Sequence, residues 1–203
     1  MTAPPISLLD RLGACRLCAA EFACTATAHT PRPVAWFDTG ARPGVMIVGQ
    51  APGMRVHLAG RPFADPSGDR LRDWLGIGAD TFYDRTRVAI VPMAFCFPGY
   101  DAAGSDLPPP PRCAATWRGE VMAALGPVPL MLLVGGHAQR WHLGAAATRG
   151  GVGATVARWR DHAPAVFPLP HPSWRNTGWL KRNPWFAAEV LPALRARVQE
   201  ALA

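Results

Sequence analysis

Apolar residues along this chain gather in four short runs, each closed by glycine or proline. They are Val45-Met46-Ile47-Val48, Val88-Ala89-Ile90-Val91, Leu130-Met131-Leu132-Leu133-Val134 and Ala165-Val166-Phe167-Pro168-Leu169. Unbroken apolar runs of this length predict strands buried on both faces, as in parallel sheets. Between the runs the periodicity changes. Asp69 to Leu75 places apolar residues at helical spacing, with Ser67 or Asp65 available to cap the start. Ala114 to Leu125 and His137 to Leu143 read as helices, and Trp185 to Ala201 as an amphipathic closing helix. Residues 6–25 read as a short helix carrying Cys15 and Cys18. The stretch from Ala26 to Gly44, rich in Thr, Pro and Gly, reads as an irregular lead-in. Phe97 to Arg112 holds consecutive prolines from Pro108 to Pro111 and cannot be regular structure. Gly150-Gly151-Val152-Gly153 reads as a flexible connection. Strand and helix therefore alternate, which predicts a three-layer α/β/α sandwich around a central, mainly parallel four-stranded sheet. We expect one domain over residues 1–203, with its core from residue 44 onwards.

Composition narrows the class. Apolar residues make up 49% and charged residues 17% of the 203, a balance that builds a core and excludes general disorder. No apolar run is long enough to span a membrane. Met1 to Asp10 lacks a basic region followed by an apolar stretch, so a cytoplasmic, reducing setting is expected. In that setting five cysteines read as metal ligands or free thiols rather than disulfides. The net charge is +7, and every cationic residue but Lys181 is arginine. Arginine grips phosphate through a planar fork, so the balance favours a polyanionic partner, although an Ala-, Arg- and Pro-rich chain is also what a high-GC genome encodes. A monomer is expected.

Two loops carry the candidate chemistry. Gly49-Gln50-Ala51-Pro52-Gly53 follows the first predicted strand, and His171-Pro172-Ser173-Trp174-Arg175-Asn176 follows the fourth. Ligands of open α/β sheets bind beyond the carboxyl ends of the strands, so both loops should reach one crevice suited to a base or a sugar. Taken singly, each also reads as an ordinary strand-to-helix turn. Cys15 and Cys18 form a C-x-x-C pair, and Cys96 and Cys113 flank the proline-rich loop. Four thiolates from these segments can close a site for zinc or an iron–sulfur cluster, or remain structural or redox-active thiols. A long Pro-rich loop with few apolar residues needs something to fix it, and a cluster would do so. Cys24 is left over.

These residues together resemble the uracil-DNA glycosylase superfamily, most closely its iron–sulfur members, families 4 and 5. Gly49–Gly53 is similar to the family's first motif, G-x-A-P-G or G-x-A-P-A, and His171–Asn176 to its second, H-P-S-x-x-N. Gly60-Arg61-Pro62-Phe63, with Asp65 and Ser67-Gly68-Asp69, resembles the stretch whose aromatic ring stacks on the flipped base. The cysteines fall as the family's cluster ligands do. Two departures separate the chain from family 4: Gln50 stands where that family has a water-orienting Glu, and Val91 to Phe95 holds no amide to read the uracil edge. Family 5 likewise lacks the first-motif carboxylate, and its resemblance is the closer.

The resemblance implies an enzyme that flips uracil, or another deaminated base, out of DNA and hydrolyses its bond to deoxyribose. It implies a 4Fe–4S cluster on Cys15, Cys18, Cys96 and Cys113, with zinc as the other candidate. His171, Asp65 and Gln50 are the catalytic candidates: His171 as donor to the departing base, Asp65 as holder of water or balance for the sugar cation, Gln50 through its N–H. Asp65 reads equally as a helix cap, and His171 taken alone as a satisfied strand-end histidine. Gly49, Gln50, Ala51, Phe63, His171 and Asn176 are expected to line the base, with Phe63 as the stacking ring or else simply core. Ser173, Trp174, Arg175, Lys181 and Arg182 are expected to face DNA, with Trp174 as a wedge and Trp179 continuing the aromatic–basic edge. Trp185 reads as core. Two rival readings remain at this point: a non-catalytic module for damaged DNA, favoured by Gln50 and the missing amide, and an α/β enzyme acting on free nucleosides.

Overall fold

The computed structural model describes residues 6–203. Residues 1–5, part of the stretch read above for a leader, lie outside the described residues. Four strands, β1 (Val45–Val48), β2 (Val88–Ile90), β3 (Leu130–Val134) and β4 (Val166–Leu169), form one sheet in the order β2-β1-β3-β4. Every pairing is parallel, in the registers Val45 to Val88, Val45 to Leu130 and Met131 to Val166. All four apolar runs are strands, as their pattern predicts.

Both faces of the sheet are covered, which is why its strands are apolar throughout rather than alternating. Val45, Ile47, Val88, Ile90, Leu130, Leu132 and Phe167 point into one core, with residues of α4 (Pro66–Leu75) and α10 (Leu191–Leu202). Met46, Val48, Ala89 and Leu133 point into the other, with Leu12 of α1 (Leu8–Gly13), Trp117 and Val121 of α6 (Pro111–Leu125) and Ala138 of α7 (Gly136–Ala147). The period-two split of β1 between the cores makes the three expected layers. At the amino end of the sheet α10 seals the molecule: a Cβ on Gly44 would stand 1.8 Å from the Ala201 carbonyl oxygen. The carboxyl end is left to the loops.

Three expectations are corrected. Residues 6–25 are not one helix but two short ones, α1 and α2 (Ala19–Ala23), with Cys15 in the turn between them and Cys18 at the N-cap of the second. Gly13 ends the first helix, and the Arg16 guanidinium holds the turn through the carbonyls of Gly13 and Cys15. Gly151 to Ala157 is a helix, α8, rather than a flexible connection. Burial of Thr155 and Val156 beside β4 overrides the poor propensity of its glycines. The closing helix begins with a π-turn over Phe186–Val190 before α10.

Hydrogen bonds hold the proline-rich loop in place. Asp101 accepts from the N–H groups of Ala103 and Ser105, the Tyr100 N–H donates to Thr27, and His29 bonds the Phe97 carbonyl. Pro111 opens α6, where its missing N–H costs nothing.

Candidate active site

Strand β1 feeds straight into the Gly49–Gly53 turn, which leads to α3 (Met54–Ala59). The Gly49 and Gln50 carbonyls accept from the N–H groups of Met93 (2.9 Å) and Ala94 (3.1 Å), so the segment after β2 lies alongside the turn. The buried Arg118 guanidinium clamps that segment through the Val91 and Pro92 carbonyls. The N–H groups of Gln50 and Ala51 donate to no backbone carbonyl among the described residues. Arg32 ties down the far end of α3, donating to the carbonyls of His57 and Leu58.

Phe63 reaches the same turn. Its ring tip lies 3.9 Å from where a Gly49 Cβ would stand. Its backbone is left-handed, φ +52°, a conformation that costs a bulky residue energy and needs support from its surroundings. Support comes from the Tyr83 hydroxyl, which donates to the Phe63 carbonyl at 3.0 Å, and from Gly68, whose missing side chain lets α4 close on that carbonyl. The half-buried ring meets Phe82 edge to face. Asp65 caps α4, accepting from the Gly68 N–H through Oδ1 at 3.2 Å, so the helix-cap reading of this residue holds. One carboxylate oxygen is left over for other work.

The histidine loop closes the site from the far side of β3. A Cβ on Gly135, at the end of β3, would lie 4.0 Å from the Cβ of His171. Buried Gln139 holds the ends of β3 and β4 together by donating to the carbonyls of Leu133 and Leu169. The loop is braced twice through its backbone. The Asn176 amide donates to the His171 carbonyl at 2.7 Å, and Arg70 of α4 donates to the Ser173 carbonyl at 3.0 Å and to the Thr177 hydroxyl. Asn176, expected against the base, spends one amide N–H on the loop itself. Arg70 and Gln139 were missed by sequence reasoning, because a positioning residue on a distant helix leaves no local pattern.

The His171 ring is set up as a neutral donor. The Ser173 N–H donates to its Nδ1 at 3.2 Å, so the proton of the neutral ring sits on Nε2. Burial lowers its pKa from the usual 6.5, with Arg175 adding to the effect. The carboxylates of Asp65 and Asp106 pull the other way, which brings both into electrostatic reach of the ring. Asp106 belongs to the proline-rich loop and no sequence signal marked it. The sign of the pH effect follows: the ring is neutral above its lowered pKa and loses its Nδ1 acceptor on protonation below it. The acid limb of kcat/KM is therefore expected to have its midpoint below pH 6.5, whereas a midpoint at or above 6.5 would contradict this assignment.

Phe63 against the Gly49 turn, and Asp65 within electrostatic reach of His171, link the two loops beyond the carboxyl ends of β1, β3 and β4, where the strand order reverses about β1. A family model described as Uracil DNA glycosylase superfamily matches residues 37–195, a span that takes in both loops and the sheet. The chain belongs to that superfamily. As in any uracil-DNA glycosylase-like protein, DNA is the partner to consider at this face.

Trp174 is the most exposed large apolar residue described, 76% open, at the tip of the histidine loop with Arg175 beside its ring. Lys181 and Arg182 are exposed on the adjoining α9 (Thr177–Arg182). Trp179 departs from expectation. Its ring packs edge to face on Trp185 and Phe186 and belongs to the core wall, as does Trp185. Among the described residues no helix is long and apolar enough to cross a membrane.

The four expected ligand cysteines line one small apolar cavity, with Phe22 and Trp117. All are free thiols, as is exposed Cys24. Among the described residues no group of three or more His, Cys, Asp or Glu is arranged to hold a metal ion. Burial pushes Cys96 up to about 12 and Cys113 up to about 11, with the neighbouring cysteines adding to the rise.

Proposed function

We propose that this member of the superfamily excises uracil from DNA as a monofunctional glycosylase. The observation that carries the reading is the His171 ring, whose Nδ1 accepts from the Ser173 N–H and so leaves Nε2–H as its donor, within electrostatic reach of Asp65, while Phe63 abuts the Gly49 turn. When the bond between the base and C1′ breaks, its electron pair passes to the base and charge collects on O2. A neutral Nε2–H donor stabilises that charge in the transition state, and the open N–H groups of Gln50 and Ala51 add donors. On the sugar side Asp65 offers its uncommitted oxygen to hold the attacking water. The water oxygen bonds C1′, and its proton leaves to the carboxylate.

Phe63 supplies the stacking face for the extruded base, which suits a ring held by a costly backbone conformation. The Gln50 carboxamide carries a donor and an acceptor, the complement of the N3–H and O4 edge of uracil, and so takes over the reading that an amide after β2 would give. Trp174 fits the wedge that fills the vacated stack, with Arg175, Lys181 and Arg182 on flanking phosphates.

Cys15, Cys18, Cys96 and Cys113 would hold a 4Fe–4S cluster. The donor set fits: four soft thiols line one small apolar cavity, where burial disfavours the thiolates of Cys18, Cys96 and Cys113 without a cationic partner. With every position taken by cysteine, the cluster would clamp the amino-terminal turn to the proline-rich loop and leave the chemistry to the site. Anaerobically purified protein is expected to be brown and Cys96→Ala colourless, with a lower Tm; colourless wild-type protein would contradict the cluster.

The activity is tested by scoring abasic sites in oligonucleotides carrying uracil, hypoxanthine or mismatched thymine. Cleavage chiefly at uracil is expected. Tight, salt-sensitive retention of intact uracil DNA would instead identify a binding module.

A further inference from the structure

A groove of about 440 Å³ lies apart from the residues assigned above, between α7 and the proline run Pro109–Pro111. Its volume falls in the range of about 300–1,000 Å³ typical of ligand sites. The α7 wall is built from His137, Arg140 and Trp141, spaced at i, i+3 and i+4 on one helical face, with Ala145 just beyond a break in the helix at Gly144 (φ +83°). Trp141 leaves half its surface open, and it and Trp174 are the only tryptophans among the exposed large apolar residues described. Arg140 is exposed and makes no ion pair among the described residues. No carboxylate lines the groove.

Two backbone links tie the groove to the candidate site. Met93 lies in its lining and donates its N–H to the Gly49 carbonyl. His137 follows two residues after Gly135, which abuts His171. A chain leaving the crevice along this edge meets an open indole, an unpaired guanidinium and a stiff proline wall. Bases of a duplex present only their edges, whereas an unpaired strand can lay a base face on an aromatic ring. We propose that this groove binds the unpaired nucleotides next to the extruded base, with Trp141 stacking on a base and Arg140 pairing with a phosphate, so that the protein favours single-stranded substrate. The proposal rests on the glycosylase reading only for the direction from which the strand arrives.

The test is anisotropy titration of the full chain with a labelled oligothymidylate single strand, the matching duplex, and thymidine monophosphate as competitor. Trp141→Ala should weaken single-strand binding by roughly five- to a hundredfold, the range expected for one base stacked on an aromatic ring. Arg140→Ala should lower the salt slope by about 0.7, the share of one phosphate contact in a single strand. Duplex affinity should stay as in the wild type. Both residues are exposed, and unchanged melting curves check that the variants fold. Wild-type single-strand affinity and slope in both variants would overturn the proposal. Competition by the mononucleotide as strong as that by the strand, lost equally in Trp141→Ala, would also overturn it in favour of a small-molecule pocket. Cleavage of a uracil-containing single strand by the same protein preparations separates the two readings. Cleavage without groove dependence sinks this proposal alone, and groove dependence without cleavage supports it while sinking the activity.

Discussion

His171→Ala is expected to lower kcat on uracil-containing DNA by about 100- to 1,000-fold, the loss seen when one preorganised donor to a developing anion is removed. KM should change by no more than a few-fold, because the donor acts on charge that exists only as the bond breaks. The substitution removes the acceptor of the Ser173 N–H but keeps both backbone braces of the loop. Asn176 and Arg70 brace the loop through the carbonyls of residues 171 and 173, which alanine leaves in place. Equal losses in kcat and affinity would show that the ring holds DNA rather than the leaving base.

Gly68→Ala is expected to damage the site without touching any reacting group. A Cβ there would stand 1.9 Å from the Phe63 carbonyl oxygen and 2.9 Å from the Phe63 Cβ. Both neighbours belong to a backbone already held in a left-handed turn, so α4 and the Phe63 loop must part. Overpacking of this kind costs about 1–3 kcal/mol. For a chain of this size that lowers Tm by roughly 2–12 °C. Activity should fall further than the folded fraction does, since Phe63 and the Asp65 cap move together. A melting curve beside kcat/KM checks both, and wild-type values in each would contradict the packing described.

The sequence was most legible where one physical demand acts on consecutive residues. Strands covered on both faces must be apolar throughout, and all four were readable for that reason. The loops that follow them are expected at one end of a parallel sheet by topology alone, and the approaches of Phe63 to Gly49 and of His171 to Gly135 agree. Legibility failed where distant packing decides. Gly151–Ala157 is helical because Val156 finds a core, against the local signal of its glycines. Trp179 looked like part of a DNA-facing edge in a run of basic and aromatic residues, yet its ring faces Phe186. Asp106 acts on His171 from a loop many residues away, and Arg70 braces the histidine loop across the crevice. Neither position carries a motif.

Excision as proposed requires a neutral imidazole at position 171 to meet a flipped base over the Gly49 turn. Its most direct test is the release of free uracil, followed by chromatography under single-turnover conditions, with wild-type protein and His171→Ala side by side. The account predicts a burst of free uracil equal to the bound substrate from the wild type, and release slowed by about 100-fold or more in the variant. Intact uracil DNA bound by folded wild-type protein, or equal rates from the two proteins, would contradict it.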